Sequence, residues 1–189
     1  LINCSTEYKI FININYNYNS PSSYIKFVNN CLEKTNLKET IIWKKSSAMP
    51  IPLGLTRLTE FIFLFSHTTK NDFIQESKKD TLFNFYEIKN GGSQIKGHNA
   101  AFPIELPFEL IKIVKGNNIY EPFCGTGSTM VASNQLNRKC YGMELDPKYC
   151  DVIVARMIKL DSTLPIKRNG VLLTNSEVLK FTENTSESN

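Results

Sequence analysis

The chain has 189 residues, 41% of them apolar and 21% charged, with a formal net charge of +4. That is enough apolar material for a globular core, and no stretch approaches the roughly 18 uninterrupted apolar residues of a membrane-spanning helix, so the expected address is the cytoplasm. The five cysteines form no Cys-x-x-Cys pair and the two histidines, His67 and His98, lie far apart, which sets aside a zinc site and a disulfide scaffold.

Residues 1–100 carry the whole charge excess, with 12 Lys and Arg against 8 Asp and Glu, while the remainder balances at 10 and 10. A mildly basic half suits a phosphate-backbone partner without demanding one. The chain opens on Leu1, and Lys9–Ile14 reads as a strand entered without the element that should precede it, so a truncated start is expected. Pro21 then opens a helix through Lys34, with Tyr24, Phe27, Val28 and Cys31 at helical spacing.

Thr40–Trp43 is a second strand, residues 48–54 a proline-interrupted loop, and Phe61–Phe65 an apolar run short enough for a buried strand. Together they predict a parallel or mixed sheet. Residues 66–97 are polar and charged, with Phe83, Phe85 and Tyr86 interleaved, and read as a variable insert without regular structure. Helices are expected over Leu106–Val114 and Ser128–Leu136, and strands over Ile119–Glu121 and Lys139–Leu145.

Asp146 is a good N-cap and Pro147 suits the first helical position, so the last helix starts there, with Tyr149, Val152, Ile153, Met157 and Leu160 as its apolar face. Beyond it, residues 175–189 are expected to fray. Strands alternating with helices predict an α/β sheet with covered faces.

The strand Ile119–Glu121 runs into Pro122-Phe123-Cys124-Gly125-Thr126-Gly127-Ser128-Thr129 and then a helix. A glycine-rich turn at the carboxyl end of a strand is where α/β sheets bind ligands, and the helix start exposes N–H groups to an anionic or polar ligand. Met130 stands where a dinucleotide fingerprint needs a third Gly or Ala, and no Gly-Lys-Ser/Thr follows, which disfavours both a nicotinamide site and a P-loop. Glu144, nineteen residues after Gly125, ends the next strand, where a carboxylate can accept both hydroxyl protons of a ribose; the alternative is a solvated strand-end carboxylate. The two features together imply a ligand that contains adenosine.

The stretch from Tyr120 to Thr129, followed by Arg138-Lys139-Cys140-Tyr141-Gly142-Met143-Glu144-Leu145-Asp146-Pro147-Lys148-Tyr149, resembles the S-adenosylmethionine-binding segment of bacterial DNA methyltransferases that modify exocyclic amino groups. The resemblance implies a Rossmann-like S-adenosylmethionine-dependent methyltransferase sheet with helices on both faces, incomplete at its amino-terminal end. It further implies cofactor contacts from Phe102, Pro103, Glu121, Pro122, Phe123, Gly125, Gly127, Ser128, Thr129 and Glu144. Glu121 stands where members usually carry aspartate. His98 lies just upstream of this set and is given no role.

The segment from Trp43 to Pro50, with Arg57, Glu60 and the Phe61–Phe65 strand, is similar to the part that follows the catalytic region in such enzymes. Trp43 is read as core, and Lys44 and Arg57 as DNA-binding candidates. The order of segments, with the cofactor part last, resembles the beta arrangement of the family. It implies four parts: residues 1–65 on the catalytic side, 66–97 as a target-recognition insert, 98–160 as the cofactor-binding segment and 161–189 as a tail. Duplex DNA, and with it a cognate restriction endonuclease, are the partners implied.

These enzymes carry an Asp, Asn or Ser followed by Pro-Pro and an aromatic residue, and no Pro-Pro occurs in the 189 residues. The loop matters because an exocyclic amino nitrogen is a weak nucleophile until acceptors draw on its hydrogens, and because the flipped base must be stacked. The other reading that the residues leave open is a split or inactive remnant that acts as a DNA-binding or specificity module. The purified 189-residue chain is expected to transfer no labelled methyl group to DNA, and a filter assay with methyl-labelled S-adenosylmethionine checks this directly.

Overall fold

The computed structural model describes residues 7–14, 22–75, 81–90 and 102–186. They fall into two compact units: residues 1–90 with 113–115, and residues 91–112 with 116–189.

The first unit is built on a mixed four-stranded sheet ordered β1-β3-β2-β4, with β1 at Lys9–Ile14, β2 at Asn36–Lys44, β3 at Thr59–Ser66 and β4 at Phe85–Glu87. The β3 strand runs antiparallel to both its neighbours, and β2 and β4 pair in parallel. Its central place explains its composition. Ile62, Phe63, Leu64 and Phe65 are all buried because neither face of a central strand is left to water. The helix α1, Ser23–Leu32, half-buries Tyr24, Val28 and Cys31, while Phe27, expected on that face, remains 38% exposed.

Trp43 is buried and its indole N–H donates to Ile88 O at 2.9 Å, which makes it a core residue. The insert is not wholly irregular: β4 lies inside it. Three residues are too few for a periodicity, and their position is secured by long-range backbone bonds, Ile42 N to Asn84 O at 2.8 Å and Ile88 N to Lys44 O at 3.1 Å.

In the second unit, β5 (Asn118–Glu121) and β6 (Lys139–Gly142) pair in parallel, with Glu121 opposite Gly142. The strand β6 is shorter than the expected Lys139–Leu145 and ends at Gly142, where β5 gives way to a turn. The helix α2, Glu105–Lys112, buries Leu106, Leu110 and Ile111, and α3, Ser128–Gln135, packs with small residues, Ser133 Oγ returning to Thr129 O at 2.7 Å. The helix α4, Pro147–Leu160, starts as its sequence predicts, Asp146 accepting from Lys148 N at 2.9 Å. Its buried strip is Ile153, Ala155 and Ile158, and Leu160 is exposed, since the helix meets α3 on one side and a further helix on the other.

That further helix corrects the expectation of a frayed end. A two-residue hairpin of β7 (Lys167–Arg168) and β8 (Val171–Leu172) turns through Asn169 and Gly170, both at positive φ, and α5 follows at Asn175–Ser186. The turn is the type that Asn-Gly favours. The start of α5 is a capping box: Thr174 N donates to Glu177 Oε2 at 2.8 Å, and Glu177 N lies 3.4 Å from Thr174 Oγ1.

A charge cluster closes one end of the first sheet. Lys38 is the bulged residue between Leu37 and Glu39, and its ammonium meets Asp72, the Lys70 carbonyl and the face of Phe73, while Lys9 meets the same carboxylate. Burial by itself would raise the Asp72 carboxyl, but hydrogen bonds from Lys38 and Lys9 outweigh it and hold it at about 2 rather than 3.8. A depressed folded-state pKa means that this stabilisation is complete above the unfolded value and is lost as pH falls through about 2. Asp72→Asn is therefore expected to cost about 1–3 kcal/mol near neutral pH. It should also flatten the fall in stability across that acid window, as read by denaturant unfolding at a series of pH values.

Candidate functional site

The carboxyl ends of β5 and β6 open into a cleft of about 630 Å³ lined by the turn after β5 and by the segment after β6. The turn holds left-handed backbone at Gly125 (φ +51°) and Gly127 (φ +81°). Both glycines are needed there. A Cβ on Gly127 would also lie 2.9 Å from Ile153 Cγ1, so glycine lets α3 start directly against α4.

Two carboxylates tie the turn together. Glu121 reaches over it from the end of β5, accepting from Phe123 N at 3.0 Å and from Thr129 Oγ1 at 2.9 Å. Glu144 reaches across from beyond β6, accepting from Gly125 N at 2.6 Å with one oxygen and from Leu145 N and Asp146 N at 2.9 and 3.0 Å with the other. The Glu121 contacts use the reach of the longer carboxylate. Ser128 Oγ donates to Phe102 O at 2.9 Å, which ties the residues before α2 to the start of α3.

Behind the turn, Arg156 Nη1 of α4 donates to Thr126 O at 2.5 Å and to Thr126 Oγ1 at 3.2 Å. Burial lowers the Arg156 guanidinium pKa, yet an arginine stays charged at any working pH. Burial pushes the Cys124 thiol up to about 11, the negative Glu121 adding to it, so this cysteine is an inert neighbour of the cleft. Among the described residues no group of three or more His, Cys, Asp or Glu could hold a metal ion.

Of the ten expected cofactor contacts, Phe102, Pro122, Phe123, Gly125, Ser128 and Glu144 line the cleft. Glu121, Gly127 and Thr129 brace its turn, and Pro103 is buried beside Phe102. His98 lies outside the described residues. Lys44 and Arg57 belong to the first unit: Lys44 Nζ is 2.9 Å from Glu87 Oε1, and Arg57 is half-buried and engaged with a protein partner. Sequence reasoning passed over Arg156, which is thirty residues from Thr126 and announced only by its helical spacing from Ile153.

Among the described residues no helix is long and apolar enough to cross a membrane. Residues 5–155 match the model of a DNA methylase family of the N6/N4 type. The Type II methyltransferase M.Cfr9I of Citrobacter freundii is 30% identical over 136 residues, covering 64% of this chain and 44% of that protein. M.MthZI of Methanothermobacter thermautotrophicus is 29% identical over 164 residues, covering 68% and 46%. The chain thus spans less than half the length of these relatives.

Among solved structures, the PvuII DNA methyltransferase (cytosine-N4-specific) superposes with a TM-score of 0.69 at 16% identity, covering 97% of this chain and 71% of that one. The M1.HpyAVI–SAM complex superposes at 0.63 and 23% identity, covering 79% and 74%. The fold is that of the Rossmann-like methyltransferases.

Gly127→Ala is expected to cost about 1–3 kcal/mol, the sum of left-handed strain and overpacking against Ile153. Equilibrium denaturation measures it, and a neutral result would mean that the close approach of α3 to α4 relaxes without cost.

Proposed function

The chain belongs to the N6/N4 family of DNA methylases, and on that premise we propose that it forms the cofactor-binding part of a site-specific methyltransferase acting on the exocyclic amino group of cytosine or adenine in duplex DNA. S-adenosylmethionine is the cofactor of the family. The observation that carries the reading is the meeting of the glycine turn with Glu144, whose carboxylate lies 2.6 Å from Gly125 N at the mouth of the cleft.

The residues fit this cofactor group by group. A ribose diol needs an acceptor with two oxygens, which Glu144 provides, and a cationic amine and sulfonium are favoured by the negative charge of Glu121 and Glu144. A carboxylate is favoured by the start of α3, which no side chain caps. An adenine ring is suited by the exposed apolar side chains of Phe123 and Leu145 together with Tyr149, all of which line the cleft. When bound, the cofactor supplies a methyl group made electrophilic by its sulfonium.

The chain's own part is to hold and orient. Glu121 and Thr129 keep the turn closed at one end, and Glu144 gives up or shares the Gly125 amide to receive hydroxyl donors. Lys44 and Arg57 serve in this reading as contacts to DNA, with residues 66–97 reading the target and the parts divided at 65, 97 and 160. The Type II names of the relatives motivate a cognate restriction endonuclease as a further partner. The acceptor loop for the target amino group is not supplied by these residues, since no Pro-Pro occurs among them.

Ultraviolet crosslinking of methyl-labelled S-adenosylmethionine to the 189-residue chain should place label in the peptide that contains Phe123–Gly127. Glu144→Gln should lower affinity about 10–100-fold, as expected for loss of charge-assisted hydrogen bonds. Retention of DNA with no cofactor binding would sink this reading in favour of a DNA-binding remnant.

A further inference from the structure

The peptide that joins Thr126 to Gly127 is the pivot of the glycine-rich turn. It runs from Thr126, which follows Gly125 (φ +51°), into Gly127 (φ +81°), and glycine visits positive and negative φ about equally. On its Gly127 side the backbone does not therefore dictate by itself which way this peptide faces. Two contacts hold it. Its N–H, on Gly127, donates to Cys124 O at 2.8 Å, and its carbonyl, on Thr126, accepts from Arg156 Nη1 at 2.5 Å. Thr126 is only 3% exposed, so water is a poor substitute for the arginine as donor to this carbonyl.

The same face of α4 braces the next residue. Ile153, one helical turn before Arg156, is the side chain that a Cβ on Gly127 would strike. An apolar contact and a charge-assisted hydrogen bond from one helix thus meet the turn on either side of the Thr126–Gly127 peptide. Arg156 lies one residue past the end of the family match.

We propose that Arg156 is a positioning residue for the cofactor: it draws the Thr126 carbonyl toward α4, so that the cleft meets the amide groups at the start of α3 and not a carbonyl oxygen. The proposal rests on the reading of this turn as the cofactor site. A flipped peptide would set a negative dipole against an anionic ligand group and would break the Gly127 bond to Cys124 O. Arginine acts here through the backbone and touches no reacting atom. Lysine can keep the charge and a single hydrogen bond at this place, and alanine keeps neither.

Calorimetric titration of S-adenosylmethionine into the full 189-residue chain, with thermal unfolding in parallel, tests this. Arg156→Ala is expected to weaken binding about 10-fold or more and Arg156→Lys no more than about 3-fold, the loss and retention of a charge-assisted hydrogen bond. In the absence of ligand, the amide resonances of Gly127 and Ser128 should shift in Arg156→Ala. Binding by the wild type with equal binding by Arg156→Ala would overturn the proposal. No binding by the wild type would overturn the cofactor-site reading itself, and this proposal with it. Should Arg156→Ala fail to fold, Arg156→Gln against Arg156→Lys carries the same comparison, and equal affinities for that pair overturn it.

Discussion

The carboxyl end of the parallel pair depends on one close approach: the turn after β5 lies directly on β6. Gly142 leaves room for it, since a Cβ there would overlap Cys124 Sγ and lie 2.9 Å from Met130 Cε, so that those side chains would have to shift. With the two chains this near, Met143 N reaches Glu121 O at 2.9 Å and Cys124 N reaches Met143 O at 3.0 Å, so backbone pairing continues past the end of the ladder. That continuation brings Glu144 to the turn. A bulkier residue at position 142 would have to displace the Cys124 and Met130 side chains.

The turn is also satisfied from within. Glu121, Glu144 and Arg156 answer the backbone groups of Phe123, Gly125 and Thr126, and Thr129 holds the Glu121 carboxylate in place. A buried polar group left without a partner is costly, so a turn that enters the protein this deeply needs such a set. The consequence for ligand binding is competitive: a hydroxyl that approaches Glu144 meets a carboxylate already engaged with three amides.

The first unit obeys a different economy of charge. Its central strand is apolar on both faces, and several of its lysines are paired with carboxylates: Lys38 and Lys9 with Asp72, Lys44 with Glu87, Lys45 with Glu60. The basic excess in residues 1–100 is thus partly spoken for by the protein's own carboxylates, and Lys44 would have to exchange Glu87 for phosphate to act on DNA. Trp43, with its indole bound to Ile88 O, is committed to the core.

What the sequence determined by itself was local. Lys9–Ile14 alternates and forms the strand with those bounds, Asp146-Pro147 starts α4, and the glycine turn sits between a strand and a helix, because periodicity, capping and backbone freedom act over a few residues. The Asn169-Gly170 turn and the Thr174…Glu177 box were legible by the same rules, although residues 175–189 were expected to fray. Only the tertiary structure decided that β4 joins β2, that Lys38 leaves the β2 ladder to meet Asp72, and that Arg156 seizes the Thr126 carbonyl. These contacts join residues thirty or more positions apart. Such pairs are selected by shape and charge in three dimensions, and a one-dimensional pattern carries no trace of them.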